Sequence, residues 1–381
     1  MKFLIIGAGQ MGSAVAYDLA RSEGVQAVTL ADANLRRAEE TVARIASPKL
    51  RAARLDVEAS NDLVDAMRRH DCVIAATTFR HNVALTKAAI EAGVHLCDLG
   101  GNDDVVYQQL ALDKEARQRN VLIVPNCGLA PGLANVLAAR GVEQFEKVDS
   151  VQLRVGGLPQ HPKPPFNYQL VFSVEGLINE YSGKSRVLRN YAIAEVDAMT
   201  EVERIEFPPP FGALEAFTTS GGTSLLPQMF AGKVRELDYK TIRYPGHCKL
   251  FKTLLDLGFA SNEPITVGAN VLTAKEMFFE LLQRKLAGSD HDVVLLRVSI
   301  QGERGGKRQT LSFNLIDFYQ ENDNITAMMR TTAFPTSIIA QLVVGGTVQQ
   351  RGVMTPEQCI PLDPLVSELH TRGVNVTQEW S

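Results

Sequence analysis

The chain opens on four apolar residues, Phe3-Leu4-Ile5-Ile6, followed at once by Gly7-Ala8-Gly9-Gln10-Met11-Gly12. Ser13 to Arg21 then carries apolar side chains at helical spacing, and Ala27 to Leu30 is a second apolar run that ends near Asp32. The alternation continues. An amphipathic helix over Leu35 to Ile45, with Asn34 as its N-cap, leads to a strand over Arg51 to Leu55 that ends at Asp56-Val57. Cys72 to Ala75 is a fourth strand with Thr77-Thr78 just beyond it. A helix over Asn82 to Ala92, closed by Gly93, leads to a fifth strand, Val94 to Cys97, and then to Asp98-Leu99-Gly100. A helix over Asp104 to Arg119 and the apolar strand Val121 to Val124 complete the series. Short, wholly apolar strands alternating with helices predict a doubly wound parallel sheet covered on both faces, a Rossmann-type α/β fold.

The pattern breaks at Pro125-Asn126-Cys127-Gly128-Leu129-Ala130-Pro131-Gly132, where two prolines and two glycines end the alternation. A domain boundary is expected there, giving a first domain over 1–128 and a second over 129–332. Ser150 to Val155 alternates. Val293 to Ile300 and Thr310 to Tyr319 flank a glycine turn as a hairpin, so the inserted domain reads as α+β with an antiparallel sheet. Helices are expected over Leu133–Gln144, Gly246–Gly258 and Thr273–Leu286. From 333 the α/β texture resumes, with Pro335 at the first position of a helix through Val343, and 333–381 is expected to complete the first domain.

The first 32 residues carry the clearest chemistry. Gly7 permits a tight turn, Gly9 lets backbone approach a pyrophosphate, and Gly12 lets the helix pack close to the strand. The free N–H groups at the helix start, Gln10 and Met11 among them, would face the phosphates. Asp32 stands where a carboxylate accepts both ribose hydroxyls and repels a 2′-phosphate, which points to NAD. Ligands bind outside the carboxyl ends of such strands, which adds Asp56, Val57, Thr77, Thr78, Leu99, Gly100 and Asn126 as expected cofactor neighbours.

Composition adds exclusions. The 381 residues are 45% hydrophobic and 22% charged, with a net charge of −4. That gives no reason to expect nucleic acid or an anionic membrane as partner. No apolar run reaches the roughly 20 residues of a membrane helix. The first run stops at Gly7, shorter than a secretion signal's core. Five scattered cysteines without a CxxC fit reduced thiols in the cytoplasm, and seven histidines without a close pair argue against a metal site.

The loops of the inserted domain hold the candidate substrate groups: Gly156-Gly157-Leu158-Pro159, Phe166-Asn167-Tyr168, Ser173-Val174-Glu175-Gly176, Glu215 to Thr223, and Ile242-Arg243-Tyr244-Pro245-Gly246-His247. Gly7–Gly12, Ala89-Ile90-Glu91-Ala92-Gly93-Val94-His95, Asn126–Gly132, Gly156–Pro159, Arg243–Gly246 and Gly352-Val353-Met354-Thr355-Pro356-Glu357 resemble the saccharopine dehydrogenase superfamily, and most closely its lysine 6-dehydrogenase branch. The resemblance implies a Rossmann domain completed by the C-terminal segment. It also implies an inserted domain carrying the substrate site and the contacts of a homodimer or higher homo-oligomer. Glutamate-forming saccharopine dehydrogenases typically carry an Asp where this chain has Ala130. They read Ser-Pro-Arg-Gly at Ser173–Gly176 and Asn-Arg-Asp at Leu214–Ala216. Glutamates in place of two arginines suit a substrate with fewer carboxylates and an extra ammonium. Lysine fits that description.

The expected reaction is NAD-dependent oxidative deamination at the ε-carbon of L-lysine. Its amine must lose a proton before hydride can leave, and a free lysine amine has a pKa of about 10.4. His247, Tyr168 and Tyr244 are the candidate proton acceptors. Glu175 or Glu215 is expected at the α-ammonium and Arg243 at the α-carboxylate, with Asn167, Thr219 and Gly221 lining the same pocket. Two alternatives stand beside this reading. One is a saccharopine- or carboxynorspermidine-type dehydrogenase or reductase, the other an NAD(H)-binding regulator without turnover.

Overall fold

The computed structural model describes residues 1–58, 60–288 and 291–381. It divides into two compact units. The first comprises Met1–Glu146, Ser224–Met229 and Met329–Val376, and the second Lys147–Thr223, Phe230–Met328 and Thr377–Ser381. The first unit therefore runs past the boundary expected at 128, and the last five residues belong to the second.

In the first unit β1 (Lys2–Ile6), β2 (Ala27–Asp32), β3 (Leu50–Arg54), β4 (Cys72–Ala75), β5 (His95–Asp98) and β6 (Leu122–Val124) form a parallel sheet. A short strand over Gly352–Val353 joins its edge, and the spatial order is Gly352–Val353, β6, β5, β4, β1, β2, β3. The order reverses between β1 and β4, the position at which doubly wound sheets bind ligands. Phe3, Leu4, Ile5 and Ile6 are all buried, as a strand covered on both faces requires. Helix α1 (Gln10–Arg21) starts directly from the glycine turn. Its buried Asp18 accepts from Ser337 Oγ at 2.5 Å and from Arg372 Nε at 2.6 Å, which ties the C-terminal segment to this helix.

Two local expectations are corrected. The helix expected over Asp104 to Arg119 is two helices, Asp103–Leu110 and Asp113–Gln118, the first capped by the Asn102 side chain. Pro335 lies inside the helix Ala327–Val344 rather than at its start. The start is set by Asp292, whose carboxylate accepts from the amides of Ala327 at 2.6 Å and Met328 at 2.8 Å, while Pro335 removes one ladder bond further along.

The second unit is built on a nine-stranded sheet, and it is mixed rather than purely antiparallel. Lys147–Pro159 and Val234–Arg243 run parallel, with Lys240 beside Arg154 and Thr241 beside Val155. The intervening chain crosses over through helix Val174–Glu180 and the hairpin strands Lys184–Arg189 and Ala192–Asp197, so the second of the pair returns in the same direction. The hairpin Asp292–Arg304 and Lys307–Phe318 forms as expected, and Thr377–Trp380 pairs with its second strand. Helices Val174–Glu180, His247–Asp256 and Ala274–Leu286 contribute to one apolar cluster. That cluster joins Leu177, Tyr181, Phe217, Phe251, Phe278 and Leu282 to Tyr168.

Candidate active site

The dinucleotide side of the chemistry lies in the first unit. Gly7 has φ +106°, and a Cβ there would stand 2.5 Å from the Ala76 carbonyl oxygen. A Cβ at Gly12 would meet the Gly7 carbonyl oxygen at 1.8 Å, so the turn and helix approach more closely than any side chain permits. At Gly9, the N-cap of α1, nothing lies within 4 Å of such an atom, which leaves open space in front of the helix amides. Asp32 Oδ2 accepts from the Ala8 amide at 2.8 Å and its Oδ1 from the Asn34 amide at 2.8 Å. The carboxylate is thus oriented by the glycine turn itself. Gln10 and Met11 open α1.

At the ends of β4, β5 and β6 the polar groups converge. Asn126 is buried with φ +64°, donates to Ser224 Oγ at 3.0 Å, and its Oδ1 has no partner. Gly100, at φ +72°, is required there because a Cβ would stand 2.0 Å from that same oxygen. Asp98 accepts from the Gly100 amide and from Gln109 Nε2, both at 2.7 Å, and burial pushes its carboxyl up to about 6. Thr77 Oγ1 is buried and unpartnered, while Thr78 opens the 3-10 turn Phe79–His81. Leu99 and Val57 are half-buried. Asp56 is exposed and accepts from the Glu58 amide at 3.0 Å, a local turn contact. The glycine cradle, the oriented Asp32 and the unsatisfied oxygens at the strand ends fit a pyridine dinucleotide.

The second unit places the substrate candidates unevenly. Arg243 is buried, and its guanidinium carbon lies 4.7 Å from the Tyr168 ring centroid. Its Nε donates to Tyr181 Oη at 2.8 Å and its Nη1 to the Ile242 carbonyl at 2.9 Å. Since Tyr181 Oη accepts from arginine, its own proton goes to His247 Nε2 at 3.0 Å, and His247 Nδ1 donates to the Phe166 carbonyl at 3.1 Å. Burial, and then the Arg243 charge, hold the imidazole down to about 3.

His247 is therefore a neutral ring with both nitrogens engaged. Tyr244 donates to the Pro159 carbonyl at 3.0 Å and packs on the separate cluster of Leu158, Ile242 and Leu295. Tyr168 Oη is buried without a partner, and burial pushes the phenol up to about 12.

Among the substrate-binding candidates, Glu215 is a helix cap. It accepts from the amides of Gly246 at 2.8 Å and Cys248 at 2.7 Å, so both oxygens are committed to the start of helix His247–Asp256. Thr219 is fully buried and shares a hydrogen bond with Thr241 at 2.7 Å, which gives it an interior role. Glu175 is half-buried in the first turn of helix Val174–Glu180, whose N-cap is Ser173. Asn167, with φ +49°, and Gly221, with φ +82°, hold turns.

The sequence reading passed over Tyr181 and Glu180. Tyr181 continues the apolar spacing of Val174, Leu177 and Ile178, but nothing in that spacing marks its hydroxyl as the link between Arg243 and His247. Glu180 reads as an ordinary polar position at a helix end. In the fold it is half-buried, and burial, opposed by the Arg243 charge, pushes its carboxyl up to about 7.

The remaining buried cations of this sheet are neutralised. Arg154 pairs with Glu203 at 2.5 Å and Asp238 at 2.7 Å, and Lys240 with Glu203 at 2.7 Å. Among the described residues Arg243 has no carboxylate within 4 Å, so its charge is available to one anionic group.

The first unit carries a glycine cradle with an oriented acid, and the second a buried guanidinium, features that suit a nucleotide-dependent oxidoreductase. Residues 3–124 match the saccharopine dehydrogenase NADP binding domain, and residues 128–374 match the saccharopine dehydrogenase C-terminal domain. The chain belongs to the saccharopine dehydrogenase family. A saccharopine dehydrogenase (NADP(+), L-glutamate-forming) of Schizosaccharomyces pombe is 21% identical, over 92% of this chain and 93% of that one. A carboxyaminopropylagmatine dehydrogenase of Synechocystis is 26% identical over 54% of each chain. The apo saccharopine dehydrogenase (L-Glu forming) of Saccharomyces cerevisiae has the same fold, with a TM-score of 0.82, 18% identity, and coverage of 100% and 99%.

Proposed function

We propose that this chain catalyses NAD-dependent oxidative deamination of the ε-amino group of L-lysine. The products are ammonia, NADH and 2-aminoadipate 6-semialdehyde, which cyclises to piperideine-6-carboxylate. The observation that carries this reading is that buried Arg243 makes no ion pair among the described residues. One buried guanidinium without an ion pair calls for one substrate carboxylate, and the neighbouring arginine and lysine are already neutralised. Nε and one N–H of Nη1 are engaged, which leaves both Nη2 donors and the second Nη1 donor for that carboxylate. Gly7, Gly9, Gly12 and Asp32 would hold the dinucleotide, with Thr77, Gly100 and Asn126 towards its other end. When bound, that group accepts the hydride. Asp32 supports NAD, because its oriented carboxylate would repel a 2′-phosphate.

The test is NADH formation with lysine, ornithine, cadaverine and saccharopine. Lysine should react. Ornithine is one methylene shorter, and a displacement of about 1 Å at the reacting carbon costs on the order of a hundredfold. Cadaverine leaves Arg243 unpaired, a loss of roughly 1–3 kcal/mol. The names of the relatives favour a second reading, a dehydrogenase of a secondary amine such as saccharopine, and family likeness to an NADP binding domain favours the phosphorylated cofactor. Saccharopine oxidised faster than lysine would establish that reading and refute ours.

A further inference from the structure

Two unsatisfied groups meet in the second unit. Arg243 is buried without an ion pair among the described residues, and its guanidinium carbon lies 4.7 Å from the Tyr168 ring centroid. The hydroxyl of that same ring, Tyr168 Oη, is buried without a hydrogen-bond partner. A buried hydroxyl left unpaired lowers stability, and so does a buried charge. Phenylalanine would fill the same apolar cluster, beside Leu177, Phe251 and Phe278, without that cost. Burial outweighs the Arg243 charge and pushes the phenol up to about 12, so Tyr168 keeps its proton and has it to donate. Arg243 has both Nη2 donors and one Nη1 donor left over. The group that completes this place must accept several hydrogen bonds and carry negative charge, which describes a carboxylate.

The neighbouring bonds fix how these donors are held. Arginine can only donate, so Tyr181 Oη accepts from Arg243 Nε at 2.8 Å. Tyr181 then has its own proton to give, and His247 Nε2 takes it at 3.0 Å. The imidazole proton therefore sits on Nδ1, 3.1 Å from the Phe166 carbonyl. The Ile242 carbonyl holds Nη1 at 2.9 Å, so the guanidinium plane is set from two sides. The His247 ring is wedged in turn, its centroid 5.2 Å from that of Tyr168 and 5.4 Å from that of Phe251. This relay locates Tyr168 and Arg243 against one another and leaves the Tyr168 hydroxyl without an acceptor.

We propose that Tyr168 and Arg243 together form the site for the substrate carboxylate, with the Tyr168 hydroxyl as a specificity-determining donor and Tyr181 and His247 as positioning residues. The assignment rests on the amine-dehydrogenase reading above. The remaining Nη1 and Nη2 donors reach the two carboxylate oxygens, and the phenol donates to a further lone pair of one of them. Tyr168 then selects amino acids over simple amines and takes no part in proton transfer.

The experiment measures binding and stability apart from turnover, on the full chain. Norleucine has the carboxylate and α-ammonium of lysine without its ε-amine, and cadaverine has the amines without the carboxylate. In calorimetric titrations Tyr168→Phe should weaken norleucine by about 10- to 100-fold, the range for one hydrogen bond to a charged group, and leave cadaverine within about twofold. KM for lysine should rise by the same factor while kcat stays within about threefold, the signature of a lost binding contact. The ligand-free variant should melt at or above the wild-type temperature, because the unpaired hydroxyl is gone. Unchanged norleucine affinity, an equal loss for both ligands, or a lower melting temperature overturns the proposal. Tyr181→Phe frees Arg243 Nε and judges the positioning role, and it decides the site if Tyr168→Phe does not fold. Selective weakening of norleucine supports the assignment, and unchanged affinity or an equal loss for both ligands overturns it. Should wild type oxidise saccharopine and not lysine, the substrate reading fails alone. KM for saccharopine in Tyr168→Phe then judges the site, a rise at steady kcat supporting it and an unchanged value overturning it. Wild type that binds neither norleucine nor saccharopine refutes both.

Discussion

Replacing Glu215 by alanine separates two roles for that carboxylate. In the fold it holds the amides of Gly246 and Cys248 at 2.8 and 2.7 Å, where the first turn of helix His247–Asp256 has no carbonyl to offer. Loss of a side-chain cap costs about 0.5–2 kcal/mol, and loss of a negative charge at a helix start a further 0.3–1 kcal/mol. Glu215 is half-exposed, so water recovers part of this. A net loss of about 2 kcal/mol is expected for the second unit, a fall in its melting temperature of roughly 4–8 °C at that size. Glutamine keeps one acceptor oxygen and should fall between. The assay pairs thermal melting with KM for lysine, because the alternative role, holding the substrate ammonium, predicts the opposite signature. On the capping account KM stays within about threefold, the scale of a small binding loss. A KM raised a hundredfold at an unchanged melting temperature would refute the reasoning.

Two further outcomes follow from the same geometry. Asp32→Ser should relax the preference for NAD over NADP, measured as the ratio of kcat/KM for the two cofactors, and comparable wild-type values would remove the argument from Asp32. The Glu180 carboxyl is raised in the fold from 4.5 to about 7, so the folded state holds its proton more tightly than the unfolded chain. Its effect on stability is therefore most favourable below pH 4.5 and is lost as pH rises through 7. Denaturant titrations should show Glu180→Gln gaining stability relative to wild type across that window, and a constant difference would contradict the buried-carboxyl assignment.

The first unit was legible because its physics is local. Apolar runs, glycines at sites that exclude a Cβ, and an acid at a strand end are each written in a few consecutive residues, and helices Leu35–Ile45 and Asn82–Ala92 fall where the spacing places them. The second unit was legible only in its hairpin and helices. Whether two strands run parallel depends on the path of the chain between them, and the pairing of Val234–Arg243 with Lys147–Pro159 leaves no mark in either strand. Pro335 misled for a related reason. It suits a helix start, but the donors of the true start are satisfied by Asp292, remote in sequence. Hydrogen bonds between residues distant in sequence likewise link Arg243, Tyr181 and His247, a connection that no local spacing marks.

The glutamate at 215 shows how a charge can matter by what it declines to bind. Glu215 stands directly across the strand pair from Arg243, on the same face, where opposite charges ordinarily attract. Had the two formed an ion pair, the guanidinium would be neutralised within the protein, as Arg154 and Lys240 are by Glu203 and Asp238. The helix that follows Arg243 prevents this, because its first amides, Gly246 and Cys248, take both Glu215 oxygens. Arg243 turns instead to Tyr181 and to the Tyr168 ring, partners that orient it without cancelling its charge. On the proposed reading, one guanidinium without an ion pair suits a substrate with a single carboxylate at that end.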